Sequence, residues 1–521
     1  MPDQPFYGTG LAGEQSRGSR RLTVAHDSIF GNYTGWLSFF RLSLPLLFGL
    51  AICLQVLAYA NKVLGDPDTY WHIAIGRWIL TNQAIPHQGI FSGTMSDAPW
   101  VAHEWLAEVL LTFLFDHFGW IGVAAATACC AAAALALLLR ALLHVLAPVH
   151  ALIAAVLGYF LTLPHILARP DIFALPILVL WVAALVAARA KNRAPSAWLA
   201  LLMMLWANLH GGYMFGLGLA ALFAGEAIIA APDWQGRLNA ARVWALFGAL
   251  SLAAALMTPF GIDGLLLPFR LNSMSFALSQ LIEWRSPDFQ SLEPLELWLL
   301  LLLFGTFALG WRLPLMRLLM LLLLVHQSLQ HRRFGELLGL VAPLLIAPAL
   351  APQLVTPTSR GAASQLDQVM SELAKPAGRG AILLVPGLVL ALLAVVPRHL
   401  VHPDDFLTPS AAVNAVAAAH IDGPVLNDYG FGGYLLFVGR KPYIDGRAEL
   451  YGDGFLQRYT EAVTLTSDKL PEILAQDNIA WTLFDPSRPA VKLLDHLPGW
   501  RRLYADDSTV VHVHDDAVSA R

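Results

Sequence analysis

Between Ile121 and Leu139 this chain runs nineteen residues, IGVAAATACCAAAALALLL, without one charged side chain. A hydrocarbon layer about 30 Å thick takes roughly 17–25 such residues as one helix, and a water-facing helix needs a polar stripe that this stretch lacks. Apolar runs recur at 36–60, 121–144, 149–167, 171–189, 197–209, 213–231, 242–259, 292–310, 313–329, 334–351 and 380–397. The expected fold class is therefore a polytopic α-helical membrane protein with eleven transmembrane helices, in a range of 10–13 set by how 101–118 and 197–231 divide. Only 13 % of the 521 residues are charged, about half the usual share in soluble domains. That excludes a soluble enzyme, a disordered binder and a disulfide-stapled secreted domain. Cys53, Cys129 and Cys130 all lie in apolar runs and read as packing residues.

Charge sorting orients the spans. With the N-terminus in the cytoplasm, fourteen Lys/Arg fall in the tail and loops on that side, among them Arg17, Arg20, Arg21 and Arg193, against seven opposite, as the positive-inside rule requires. An odd number of spans then puts the C-terminal end outside the cytoplasmic membrane. Residues 401–521 carry 10 Lys/Arg against 17 Asp/Glu, so that end is acidic. No part is basic enough for a nucleic-acid partner. The chain divides into a cytoplasmic tail (1–35), a transmembrane domain (36–397) with a large first external loop at 61–120, and a soluble extracytoplasmic α/β domain (398–521). In the last, AAVNAVAAAH reads as helix and PVLND, KPYID, AWTLFD and TVVHVH as strands between turn residues, which suggests a mainly parallel sheet. Glu104, Glu108 and Asp116 would be costly in lipid, so 101–118 reads as a helix at the outer surface.

Polar residues are not scattered. GDPDTYWH (65–72), AHEW (102–105), ARPD (168–171), NLHGG (208–212), TPFG (258–261), IEWRSPDF (282–289) and QHRRF (330–334) all fall on the outer side, and ionisable groups at this depth are candidate site residues. Asp66 and Asp68 can hold a divalent metal such as Mg2+ or Mn2+ through hard oxygens, or one can act as general base; equally, they can cap the helix that follows. His72 lies one helical turn after Asp68. Arg169 and Asp171 are either a paired helix break or a second acid facing the first. His331, Arg332 and Arg333 stand outside against the charge bias, as a phosphate clamp or as snorkelling side chains. Asn208 and His210 precede a Gly-Gly break that a helix terminus also explains. Glu283 and Arg285, with Trp284 and Asp288, read as a loop able to close over the site. His103 and Glu104 complete the set. No nucleotide-binding loop, dinucleotide fingerprint, nucleophile elbow or zinc spacing is present.

This order of parts resembles the C-type (GT-C) membrane glycosyltransferases, a group that includes oligosaccharyltransferases, protein O-mannosyltransferases and lipid A aminoarabinose transferases. More closely it is similar to bacterial membrane proteins of that class which share DPDTYWHIAIGRWIL, IPHQGIFSGT, HEWL, LWANLHGG, TPFG, EWRSPDF, NDYGFGGYLLF and PYIDGRAELYG. The resemblance covers nearly the whole chain. It implies a GT-C-like bundle and transfer of a sugar from a polyprenyl-phosphate carrier, with inversion, to an acceptor whose identity stays open. It also implies Asp68 or Asp66 as base, Asp171 positioning the acceptor or a metal, and Arg332 and Arg333 on the leaving phosphate. His72, His103, Glu104, Arg169, Asn208, His210, Glu283, Arg285 and His331 are the expected substrate-binding residues. The chain lacks the WWD-type motif of the oligosaccharyltransferases, so sequon recognition is not implied. NDYGFGGYLLF and YIDGRAELYG read as strand-to-helix turns or as an acceptor-binding face. A flippase for lipid-linked saccharides, and a scaffold without chemistry in envelope assembly, are the competing readings.

Overall fold

The computed structural model describes residues 39–354, 365–395, 401–403 and 405–516; the N-terminal tail, with Arg17, Arg20 and Arg21, lies outside the described residues. Every apolar run holds a helix. In chain order the main ones are α1 (Leu44–Ala58), α2 (Asp68–Asn82), α3 (Trp105–Phe118), α4 (Trp120–Leu142), α5 (Pro148–Thr162), α6 (Asp171–Ala190) and α7 (Leu199–Leu209). Then come α8 (Tyr213–Ile229), α9 (Trp234–Ala255), α10 (Ile262–Asn272), α11 (Pro294–Phe307), α12 (Leu315–Gln330), α13 (Gly335–Leu350), α14 (Gln365–Leu373) and α15 (Arg379–Val395). Among the described residues five helical segments are long and apolar enough to span a bilayer: Trp120–Leu142, Pro148–His165, Asp171–Ala190, Trp234–Ala255 and Arg332–Gln353. The other six runs form shorter apolar helices of 10–17 residues.

Large apolar groups cover the outer face of the bundle, and small residues line some of its closest helix contacts. Leu300, Leu301, Leu303, Phe304 and Phe307 of α11 are exposed, whereas Ala128, Ala131 and Ala134 of α4 are buried. In lipid, helices gain nothing by hiding leucine from leucine-like tails, so backbone approach at small residues governs contact. At Gly158 of α5 and Gly339 of α13 a Cβ would fall 2.5 and 2.7 Å from the other glycine's carbonyl oxygen. Segment 101–118 is helical from Trp105 and packs on α2. Glu108 is buried, Thr112 Oγ1 donates to the Ile73 carbonyl at 2.8 Å, and Asp116 pairs with Arg77 at 2.6 Å. Glu108 thus faces protein, while Asp116 stays exposed with Arg77 as its partner.

The C-terminal region has α16 (Ser410–Ala418), β1 (Val425–Asn427), α17 (Gly432–Phe437), α18 (Ala448–Val463), α19 (Lys469–Gln476), β2 (Trp481–Phe484), α20 (Pro489–Leu494), β3 (Trp500–Ala505) and β4 (Val510–His514). The sheet runs β1-β2-β4-β3. Only β1 and β2 are parallel; β2–β4 and β4–β3 are antiparallel. The expected mainly parallel sheet is therefore corrected to a mixed one. KPYID forms no strand, and the last hairpin contains WRRLYA, an edge strand whose arginines hide its alternation; charged edges of this kind block further pairing. The core beneath α18 and α19 includes Trp71, Ile75, Ile79 and Trp100 of the first loop as well as Leu426, Tyr451 and Ile473.

Candidate functional site

Helix α2 starts at Asp68 behind Pro67, and Asp66 Oδ1 accepts the Asp68 backbone N–H at 2.8 Å. Asp66 thus steadies the first turn of α2, as a cap would. Its other oxygen pairs with Arg169, whose guanidinium also lies 3.5 Å from Asp68 and donates to Glu283 at 2.7 Å. Arg333 donates to the same Glu283 at 3.2 Å and lies 4.8 Å from the Trp284 ring. Asp171 opens α6, with Oδ1 buried and no hydrogen-bond partner among the described residues; Glu336 on α13 has Oε2 in the same condition. Four separate segments thus meet through Arg169 and Glu283, at one end of the bundle.

The electrostatics divide these acids. Asp68 keeps 26 % of its side-chain surface open. Burial by the protein around it, reinforced by the Asp66 charge and partly opposed by Arg169, pushes its carboxyl up to about 7. Burial also acts to raise Glu283, but Arg333 and Arg169 outweigh it and hold that carboxyl below its ordinary value. Glu283 is the anion that two guanidiniums share, whereas Asp68 is poised to exchange a proton near neutrality.

Beside this cluster lies a second one. Glu104 faces three imidazole Nε2 atoms, His72 at 3.9 Å, His103 at 3.6 Å and His210 at 3.5 Å; His72 Nδ1 lies 3.5 Å from Glu108. These are charge-range contacts, at or beyond hydrogen-bond length. Burial drives Glu104 up to about 7 and, with Arg333 nearby, His210 down to about 3. His72 turns to the two glutamates rather than to Asp68.

Three of the expected residues hydrogen-bond the surrounding frame. Asn208 accepts from Trp105 Nε1 at 2.9 Å and donates to the Met204 and Met257 carbonyls, which ties α7 to α3 and to the end of α9. His331 Nδ1 sits 2.5 Å from the Trp284 carbonyl. Arg285 is exposed and hydrogen-bonds the Ser279 carbonyl, while its own carbonyl accepts the Arg332 N–H. Arg332 pairs with Glu293 at 3.3 Å and lines a small separate cavity with His165 and Pro287. The two neighbouring arginines thus point to different partners, and Arg169 stands with Arg333 where Arg332 was expected. A divalent cation at Asp66 and Asp68 does not fit the donors as arranged. Arg169 bridges the two carboxylates, one Asp66 oxygen is taken by backbone, and among the described residues no group of three His, Cys, Asp or Glu side chains converges in metal-ligating geometry.

The C-terminal region closes over the first loop. Asp445 and Arg447 form a fully buried pair, with Arg447 Nε donating at 2.8 Å and Tyr451 O–H donating to Asp445 at 2.9 Å. The Arg447 guanidinium lies 5.0 Å from the Trp100 ring and 5.6 Å from Phe91, and Trp100 Nε1 donates to Glu449 at 2.9 Å. Between the paired residues, Gly446 lies against the acid itself: a Cβ there would fall 2.0 Å from Asp68 Oδ1 and 2.8 Å from Trp71 Nε1. YIDGRAELYG is thus more than a turn, and its Asp-Gly-Arg core was the one visible sign of this contact. Gly446→Ala is expected to lower turnover at least about tenfold, because it displaces Asp68, the base that the family resemblance implies, and misplacing such a group costs rate steeply. Gly430→Ala, whose Cβ would meet nothing within 4 Å, is the control, compared by initial rates at equal folded protein.

No family model matches the sequence, and no curated protein matches it. Solved structures do. The crystal structure of ArnT from Cupriavidus metallidurans bound to undecaprenyl phosphate matches with 14 % identity and a TM-score of 0.49, over 92 % of this chain and 98 % of that one. The oligosaccharyltransferase of Archaeoglobus fulgidus in the apo form matches with 12 % identity and a TM-score of 0.51, over 85 % of this chain and 69 % of that one. Over 85 % of its length this chain shares the fold of that oligosaccharyltransferase, the fold of the GT-C membrane glycosyltransferases.

Proposed function

We propose that the protein transfers a sugar from a polyprenyl-phosphate carrier to an acceptor hydroxyl at the outer membrane face, with inversion. The observation that carries this reading is the meeting of Asp68, with its proton exchangeable near neutrality, and two guanidiniums that share one replaceable carboxylate. The acceptor oxygen attacks the anomeric carbon as the bond to the phosphate oxygen breaks. The acceptor proton passes to Asp68, and the phosphate leaves with the bonding pair. Arg169 and Arg333 stabilise the charge that develops on it, taking phosphate in place of Glu283. Asp66 holds Arg169 and the start of α2, while Asp171 and Glu104 offer buried acceptors to sugar or acceptor hydroxyls. No step is routed through a metal.

The test is the purified protein in nanodiscs with a radiolabelled polyprenyl-phosphate sugar and a panel of glycan and lipid acceptors. Label moving from carrier to acceptor supports the reading. Carrier crossing the bilayer in proteoliposomes with its sugar intact makes the protein a transporter instead.

A pH dependence follows. A base must be deprotonated to act, so kcat is expected to rise with pH through about 7 and level off above it. Asp66→Asn removes a charge that raises Asp68 and is expected to move the inflection to lower pH. Rates measured between about pH 5 and 9 check both; an inflection unmoved in Asp66→Asn removes Asp68 from the role of base.

A further inference from the structure

Helix α6 runs from Asp171 at the carboxylate end to Ala190 at the other, and twenty residues at about 1.5 Å each span roughly 30 Å, a hydrocarbon thickness. At that far end α6, α8 and α12 are knitted by one carboxylate. Glu226 takes Arg317 at 3.0 Å and Arg189 at 3.6 Å, and Arg317 is buried, stacked 4.4 Å from the Phe223 ring. One acid is thereby spent on two guanidiniums. Four residues past Arg189, the exposed Arg193 has no ion pair or side-chain hydrogen bond among the described residues. Asp233, the acid of the loop between α8 and α9, is engaged in capping α9 through the Gly236 N–H.

Arg193 lines a cavity of about 400 Å3 between the end of α6 and the start of α7. Ala184, Ala187 and Ala188 leave the room, Leu199 and Leu202 add apolar surface, and Ser196 adds a hydroxyl to the same lining as Arg193. Trp198, 79 % exposed, stands at its edge, where aromatic side chains mark the membrane interface. A cation and a hydroxyl donor in one lining with apolar surface, at interface depth, match a phosphate joined to acyl chains. Free phosphate has no use for the apolar surface, and a zwitterionic headgroup brings its own cation.

We propose that this cavity binds the phosphate headgroup of an anionic glycerophospholipid through Arg193 and Ser196, with the upper acyl chain along Leu199 and Leu202. Basic pockets between helices on the Lys/Arg-rich side are where such lipids are held. The site rests on the membrane-spanning reading and is independent of sugar transfer.

The full-length protein in nanodiscs of equal phosphatidylglycerol and phosphatidylcholine, released for native mass spectrometry, tests it. Phosphatidylglycerol adducts are expected to outnumber phosphatidylcholine adducts, and Arg193→Glu to lower them roughly thirtyfold, since reversing one charge near the surface changes the attraction by twice its unit share. Arg140→Glu, exposed at the same end of α4, is expected to leave them unchanged. Thermal unfolding confirms that both variants are folded, and Arg193→Gln serves if Arg193→Glu is not. Equal retention of the two lipids, undiminished adducts in the Arg193 variants, or an equal loss in Arg140→Glu overturns the site. Displacement by millimolar inorganic phosphate alone overturns the lipid as its occupant.

Discussion

Asp68→Asn is expected to lower kcat for sugar transfer by about 10²- to 10⁴-fold, the usual contribution of a positioned general base, with little change in donor binding. The amide has nearly the same shape, so its contact with Gly446 is kept and only the capacity to take the acceptor's proton is lost. Asp66→Asn is expected to act differently, because Asp66 spends its oxygens on Arg169 and the Asp68 N–H; its loss loosens the arrangement rather than removing a proton acceptor. Single-turnover transfer of labelled sugar separates the two, since a base defect slows the chemical step at saturating donor. If Asp68→Asn keeps its kcat within about threefold of the wild type, the base lies elsewhere. Glu104, raised by burial to about 7, is then the next carboxylate to substitute.

Arg447→Met is expected to destabilise the protein by roughly 3–5 kcal/mol, the cost of leaving one member of a buried ion pair without the other. Both side chains of the pair are fully buried. Methionine keeps apolar contact with Phe91 and Trp100 but strands the Asp445 carboxylate, to which only the Tyr451 hydroxyl and the residue 447 backbone N–H still donate. Replacing both members, Asp445→Asn with Arg447→Met, is expected to recover most of the loss, because no uncompensated charge remains. Denaturant unfolding in detergent, read as a double-mutant cycle, gives the coupling energy. A single-variant loss under about 1 kcal/mol means that the pair is not what docks the C-terminal region.

The bundle was legible because lipid imposes one pattern, long uncharged runs, and each run holds a helix. What the runs did not state is which helices are long enough to cross: α1, α7, α8, α11, α12 and α15 fall short of the span criterion by themselves. The gathering of polar motifs was legible too, since seven of them shared one side. Their pairing was not. Sequence adjacency suggested that Arg332 and Arg333 act together, yet the 3-10 turn Arg332–Phe334 sends one to Glu293 and the other to Glu283. Proximity on a helix suggested that His72 serves Asp68, but α3 packs its glutamates against that face of α2. Glu108 was read only as a sign that 101–118 lies at the surface, and Glu336 was passed over because a single acid in an apolar helix gives no sign of its neighbours. The mixed sheet was missed where Arg501 and Arg502 break the alternation of β3.

The contact between Gly446 and Asp68 joins residues almost four hundred positions apart, and Trp100 and Glu449 are bonded across 349. During synthesis the N-terminal segments appear first, so Asp66, Asp68 and Arg169 emerge long before the region that covers them. The bundle can insert and pack while its acidic cluster is still open to water, and only translation of the last quarter of the chain encloses it. Under the proposed sugar transfer, a nascent or prematurely terminated chain is therefore expected to be membrane-inserted but chemically idle, with Asp68 not yet held against Gly446.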